Sequence, residues 1–487
     1  MTPLRIRRHG VTVLPESARV ILRPFIPADK LRIAAILGRT LALTDMEVAA
    51  HLQHVMADFD GRHLDIESKL LQHFELVRPH LFTQRSLSRD LMLLIGAMFS
   101  GEYALESAAI FNPSMVPHPD QSGTRPGEQR FIMSLRATGE GHISSIEFRA
   151  GTLAGDGGII LDPVSRFVSA PEIILDPHYD KARFGRRLHD MGLDEPHTEA
   201  VMGPLAASFT RSDLTKSVDV LRRDSGHATP ELELTLGQIQ WLADSNYELR
   251  FSSELAISER IIFPVAPSET NGIEDARFVR FVEDDGAVTY YATYTAYNGT
   301  AILPQLIRTD DFQCFRMLTM GGTALQNKGM ALFPRRIGGQ YMMLSRQDDE
   351  NIHLMRSNSP HHWNDPEIVL RPCETWESVK IGNCGSPIET EAGWLVITHG
   401  VGPMRKYCIG AALLDLANPA KVLGRLREPL ISPEGHEREG YVPNVVYSCG
   451  AMVHNGALVL PFAVSDRSSM IASVPLDDLL DALAREE

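Results

Sequence analysis

Cysteine is scarce in this chain, with five thiols at Cys314, Cys373, Cys384, Cys408 and Cys449. No two form a CxxC pair and their number is odd, which argues against a disulfide framework and a structural zinc site. Positive charge is in deficit, with 47 Lys and Arg against 62 Asp and Glu and a net charge of −15. Nucleic acid and anionic membranes need a basic face, so neither is expected as a partner. A small anionic substrate stays open, provided a local basic pocket exists. There is no uninterrupted apolar run of membrane-spanning length. The basic segment 1–10 has no apolar stretch behind it, so a reduced, cytoplasmic protein is expected. P-loop, GxSxG, HExxH and EF-hand patterns are also missing. Residues 151–158 are glycine-rich but carry no dinucleotide fingerprint and read as a loop.

What is present divides into two textures. Residues 28–100 read as helical. Thr44 and Glu47 form a capping-box pattern ahead of Val48, Leu52 and Val55. Ile66, Leu70, Leu71 and Phe74 recur at helical spacing, and residues 91–98 make a further apolar helix. A second helical stretch spans 176–248, with helices expected at 182–191, 214–221 and 236–243. Elsewhere the chain alternates short apolar strands with turns.

The strand region repeats. One unit is an apolar strand ending on a polar residue, a loop, a second strand and a turn. The first strands, 131–135, 290–294, 341–345, 394–398 and 458–464, end at Arg136, Thr295, Arg346, His399 and near Asp466. The last four units start about 51, 53 and 64 residues apart, near the size of a four-stranded propeller blade. Five units predict a mainly β chain built as a five-bladed β-propeller. The expected organisation is an N-terminal helical extension over 1–104 and a catalytic propeller over 105–487, with the helical insertion at about 176–248. Equivalent strand ends meet at the channel of a propeller, so Arg136, Arg346, His399 and Asp466 should converge.

Four loops join charged residues to Gly or Pro, as loops around a rigid site do. The densest runs from Asn271 through Glu274 and Asp275 to Arg277. In an extended segment Glu274 and Asp275 face opposite ways, so one of them should reach a ligand, and spacing alone does not say which. A neighbouring arginine lowers an Asp pKa, whereas closure in a dry pocket raises it towards proton donation. The other loops are 327–334 with Lys328, 376–382 with Glu377, and 437–444 with Glu439.

Taken together and in this order, these motifs, with Tyr294 to Tyr297, residues 394–401, Phe111-Asn112-Pro113 and the Arg136 strand, resemble glycoside hydrolase family 130, the β-mannoside phosphorylases and β-mannosidases. The resemblance covers roughly 105–160 and 250–475. It implies a five-bladed propeller and inversion at the anomeric carbon. It implies Asp275 as catalytic acid, acting through a hydroxyl of the mannosyl ring while phosphate attacks from the opposite face to yield α-mannose 1-phosphate. By the same resemblance Asn112 and Asp466, with Arg277 and Tyr407, hold the sugar, and Arg136, Lys328, His399 and Arg346 hold the phosphate. Arg308 and Arg335 are further candidates for a second phosphate-binding arginine. A dianionic nucleophile needs such cations and directional donors to be held in line and partly desolvated. Ala276 stands where the family usually has Pro.

The leading expectation is phosphorolysis of a β-1,2- or β-1,4-linked manno-oligosaccharide, with inorganic phosphate as co-substrate and no cofactor or metal. The rival is an inverting β-mannosidase, in which Glu377 or Glu439 would activate water across the ring from the acid. Retention of the basic set favours phosphorolysis. A non-catalytic sugar-binding propeller is the third reading, disfavoured by Asp275 beside Asn112 and Asp466. The helical additions could serve homo-oligomerisation or cap the propeller.

Overall fold

The computed structural model describes residues 4–83, 86–175, 178–193, 196–226, 229–299 and 302–484. Apart from two two-stranded sheets, its described strands fall into five antiparallel groups in chain order. The first contains Ala109–Pro117, Gln129–Thr138 and Ser144–Leu153, and the second Gly272–Val282, Val288–Tyr297, Ile302–Thr309 and Cys314–Thr319. A parallel pairing of Gly272 with Ser144 joins these two into one sheet. The third contains Ala331–Leu332, Tyr341–Ser345, Ile352–Ser357 and Asn364–Leu370. The fourth contains Lys380–Asn383, Gly393–Val401, Tyr407–Leu414 and Val422–Arg425. The fifth contains Val446–Tyr447, Ala457–Val464 and Ser468–Pro475, completed by Arg7–Val13 from the other end of the chain.

Each of the five sequence units falls within one group. The inner strands are buried on both faces, which is why they read as continuous apolar runs and not as alternation. Apolar clusters join neighbouring groups. Phe148 and Phe278 belong to one cluster, Phe281 and Met343 to the next, and Phe333 and Trp394 to a third. Ile397 and Phe462 share a fourth, and Phe131, Met133, Val459 and Ile471 share a fifth, which ties the last group to the first.

The N-terminal helices are Lys30–Leu41, Asp45–Phe59, Ile66–Val77 and Arg89–Met98. The capping box forms as the sequence predicts: Glu47 N–H donates to Thr44 Oγ1 at 3.4 Å, and Thr44 N–H to Glu47 Oε2 at 2.8 Å. The segment is not helical throughout. Val20–Pro24 pairs with Ser100–Ala104, and Arg7–Val13 leaves to join the fifth group. Within the second helical stretch the helices are Lys181–Asp190, Pro196–Met202, Arg211–Asp224 and Pro230–Asp244, packed on a core of their own that includes Phe184, Leu214 and Ile239. Tyr247–Arg250, just after it, pairs with the outer strand Cys314–Thr319. The five cysteines are free thiols. Among the described residues no helix is long and apolar enough to cross a membrane.

Candidate active site

Asp275 lies on Gly272–Val282 at a bulge, where register with the neighbouring strand shifts between Glu274 and Arg277. Its φ of 54° is left-handed, a conformation that costs a non-glycine residue about 1–3 kcal/mol and is common at functional sites. This corrects the alternation expected of an extended segment. The left-handed residue resets the pleat, and both carboxylates reach one guanidinium. Arg136 Nη2 donates to Glu274 Oε1 at 2.7 Å, and Arg136 Nη1 lies 3.6 Å from Asp275 Oδ1. Lys328 Nζ lies 3.6 Å from Glu274 Oε2. Glu274 therefore bridges the two cations, a role that spacing did not reveal.

Asn112 repeats this local device. It sits at the bulge of Ala109–Pro117 with φ 50°, and its Nδ2 donates to Asp275 Oδ1 at 2.6 Å. Its Oδ1 is buried and has no hydrogen-bond partner among the described residues. Asp466 occupies the turn between the two long strands of the fifth group, also left-handed at φ 51°.

Arg346 and His399 meet, with Arg346 Nη1 3.2 Å from His399 Nε2. If the guanidinium is the donor, the imidazole proton sits on Nδ1, which is buried and without a partner among the described residues. Burial, then the charges of Arg346 and Arg277, hold the His399 pKa well below its usual value, so the ring is neutral. Tyr407 stacks on it with ring centroids 6.2 Å apart, and Tyr447 meets it edge-on at 4.7 Å.

The two aspartates are driven apart. Burial pushes the Asp275 carboxyl up, but Arg136, Arg277, Lys328 and the Asn112 hydrogen bond outweigh it and hold the pKa at about 2. Burial, then the negative charge of Asp275, push Asp466 up to about 6. Of the four residues that the repeat predicts to converge, Arg346 and His399 touch, and the charge of Arg136 is felt at Asp466.

Arg277, expected as a sugar contact, touches the backbone of Asp275 itself. Its side chain is fully buried; Nη1 donates to the Asp275 carbonyl at 2.9 Å and Nη2 to Tyr447 Oη at 2.7 Å. Tyr447 was not singled out by the sequence, because one tyrosine on a short strand carries no motif. Arg335 is held by Glu389 in a two-pronged ion pair, with one contact of 2.8 Å. Arg308 pairs across from Tyr291, four residues along its strand from Pro304, which lies opposite Thr295 at the site end. Arg346 is therefore the arginine that joins the cluster. Glu377 is committed elsewhere: its Oε1 accepts from Arg425 and from the backbone N–H groups of Cys373 and Glu374. Glu439 is exposed on a loop whose neighbour Gly440 abuts Ser465. Among the described residues no group of three His, Cys, Asp or Glu is placed to hold a metal ion.

Comparison with known proteins adds a family. The family model described as beta-1,4-mannooligosaccharide phosphorylase matches residues 242–485, a span that includes Asp275, Lys328, His399 and Asp466 but not Asn112 or Arg136. A 1,2-beta-oligomannan phosphorylase of Thermoanaerobacter sp. (strain X514) is 34% identical over 235 residues, 45% of this chain and 75% of that protein. A beta-1,2-mannobiose phosphorylase of Listeria innocua is 31% identical over 234 residues, 46% of this chain and 64% of that protein. A solved structure of beta-1,2-mannobiose phosphorylase from Listeria innocua, in complex with beta-1,2-mannobiose, aligns over 79% of this chain and 94% of that one, with 21% identity and a TM-score of 0.47.

Proposed function

The chain belongs to glycoside hydrolase family 130, and from that premise we propose that it cleaves β-1,2- or β-1,4-linked manno-oligosaccharides by inverting phosphorolysis, releasing α-mannose 1-phosphate. The observation that carries the reading is the basic set at the two aspartates: Arg136 and Lys328 on Glu274, and Arg346 on neutral His399. These cations face the carboxylates of Glu274, Asp275 and Asp349, and a phosphate dianion would compete with those carboxylates for them.

The chemistry follows from the charges. Arg136 and Lys328 offer a fork and a point charge to a phosphate dianion, and the Nδ1 of His399 offers one neutral donor. Asn112 Oδ1 and the Asp466 carboxylate suit sugar hydroxyls. Asp275 is an anion because three cations face it. A bound phosphate draws on the same cations, so its arrival raises the Asp275 pKa. Proton donation through a mannosyl hydroxyl is then matched to the presence of the nucleophile. Arg277 and Tyr447 act through Asp275 by fixing its carbonyl. Hydrolysis would need a second carboxylate to activate water. Glu377 is held by Arg425, which counts against it as that base.

The same reading takes 105–487, completed by the strand Arg7–Val13, as a five-bladed propeller with an inserted helical unit at about 176–248, and the rest of 1–104 as an extension. The five strand groups and the apolar clusters running from first to second and finally from fifth to first support it. Free thiols suit a reducing compartment, so the reading puts the enzyme in the cytoplasm.

The test is incubation with β-mannosyl disaccharides, with and without inorganic phosphate. Phosphate-dependent mannose 1-phosphate is expected, and its loss in Asp275→Asn with the fold intact. Free mannose without a phosphate requirement would overturn the reading.

A further inference from the structure

A second basic site lies away from these aspartates. The helix Lys181–Asp190 and the second strand group enclose a cleft of about 490 Å³, within the size range of small-molecule sites. Arg183 and Arg187 enter it from the helix, Arg308 from the strand Ile302–Thr309, and His361 from the turn after Ile352–Ser357. Among the described residues none of these three arginines has an ion pair within 4.0 Å. The acids nearby are committed. Asp180 Oδ1 accepts the Arg183 backbone N–H at 2.8 Å, and Asp190 Oδ2 accepts the Gly322 N–H at 2.7 Å and lies 3.5 Å from His362 Nδ1. Glu248 is shared between Arg316 at 3.1 Å and Arg250 at 3.7 Å.

Arg183, Arg186, Arg187, Arg250, Arg308 and Arg316 line the cleft against the carboxylates of Asp180 and Glu248, so positive charge is in excess there, and part of it is dry. Arg187 Nε and His361 Nδ1 are buried polar atoms without a hydrogen-bond partner among the described residues. Burial, then Arg183 and Arg308, push the His361 pKa down to about 3, so the ring stays neutral. Unpaired buried donors destabilise the fold, which a ligand with several acceptor oxygens would offset. Arginine forks match phosphate oxygens in pairs. Phe184, Leu242, Met317 and Leu318 supply apolar walls for the remainder of such a ligand. Arg308 stands opposite Tyr291, and Pro304 opposite Thr295, so four residues, roughly 13 Å of strand, separate the cleft from the Asp275 end.

We infer that this cleft is a binding site for a small organic phosphomonoester, distinct from the phosphate position at Arg136 and Lys328. Arg183, Arg187 and Arg308 hold the phosphoryl oxygens, and His361 gives or accepts one further hydrogen bond. The site does not depend on the reading of the Asp275 cluster.

The test is calorimetric titration of the full chain with a hexose 1-phosphate, a nucleoside monophosphate and inorganic phosphate. The comparison is between wild type, the Arg183→Ala/Arg308→Ala variant and Lys328→Ala. The wild type should bind at least one of the two organic phosphates at a site that the double variant loses by tenfold or more and Lys328→Ala retains. Whichever organic phosphate binds there identifies the source. Arg183 is exposed and Arg308 makes no side-chain hydrogen bond among the described residues, so the double variant should melt with the wild type. If it does not, Arg183→Ala/Arg186→Ala, both exposed on the same helix, takes its place. Equal affinity and stoichiometry in wild type and arginine variants would overturn the site, as would binding of inorganic phosphate alone.

Discussion

At the residue scale the site works through backbone conformations that side chains rarely adopt. Asn112, Asp275 and Asp466 all sit at positive φ, two of them at bulges, so three polar side chains leave the ordinary pleat. His399 depends on its neighbour in another way. A Cβ on Gly382 would lie 2.3 Å from His399 Cε1, so only glycine leaves room for the ring. Gly382→Ala should displace His399 and raise the phosphate KM about tenfold or more, with a smaller effect on sugar binding; initial rates over a phosphate series decide it. Asp466 supplies a pH prediction. Its folded pKa of about 6 exceeds the reference value of 3.8, so its contribution to stability is fully present below about pH 4 and is lost as pH rises through 6. Asp466→Asn should therefore stabilise the protein by roughly 2 kcal/mol above pH 7, after allowance for partial exposure, and by nothing near pH 4. Melting curves across that range would refute this if the difference were independent of pH.

At the element scale, legibility followed burial. The strands Tyr341–Ser345 and Gly393–Val401 are apolar without interruption and were readable, as were helices with a cap and a stripe such as Asp45–Phe59. Arg7–Val13 escaped notice because it is basic, carries a glycine and finds its partner at Ser468–Pro475, more than 400 residues away. The sequence names Glu274 without deciding between it and Asp275, and does not point to Tyr447, because their roles depend on a bulge and on a cross-group contact that no local pattern encodes. A buried ionic knot shows the same dependence. Arg19, fully buried just before Val20–Pro24, lies 2.8 Å from both Glu106 and Glu147, and Arg149 approaches the same pair at 2.6 and 3.2 Å. Burial, then the charge of Glu147, push the Glu106 pKa up to about 8, so at neutral pH Glu106 keeps its proton, and removing Arg19 leaves the Glu147 carboxylate to Arg149 alone. Arg19→Ala should cost about 3–5 kcal/mol in urea unfolding at neutral pH. A loss below about 1 kcal/mol would mean that Arg149 alone neutralises the knot.

At the scale of the whole molecule, the two ends of the chain are one structural unit. Arg7–Val13 pairs with Ser468–Pro475, and Arg8 Nε donates to Glu437 Oε1 at 2.7 Å. The turn that carries Asp466 joins Ala457–Val464 to that same strand, so the N-terminal strand braces one wall of the site from behind. Val13 also enters the apolar cluster that packs the fifth strand group on the first, with Phe131, Val459 and Ile471. A chain beginning at residue 15 loses the outer strand, the Arg8 ion pair and the Val13 contacts together. It leaves the edge of Ser468–Pro475 unpaired and free to recruit another chain. Such a chain should melt at a lower temperature, aggregate on heating and lose sugar binding along with activity. Val13→Ala in the 487-residue chain removes the packing but keeps the strand, and should cost about 1–3 kcal/mol with the site intact. If the shortened chain kept the melting temperature and activity of the unshortened one, the contacts between groups would suffice without the pairing of Arg7–Val13 with Ser468–Pro475. If only activity fell, the strand would act on the Asp466 turn and not on the fold as a whole.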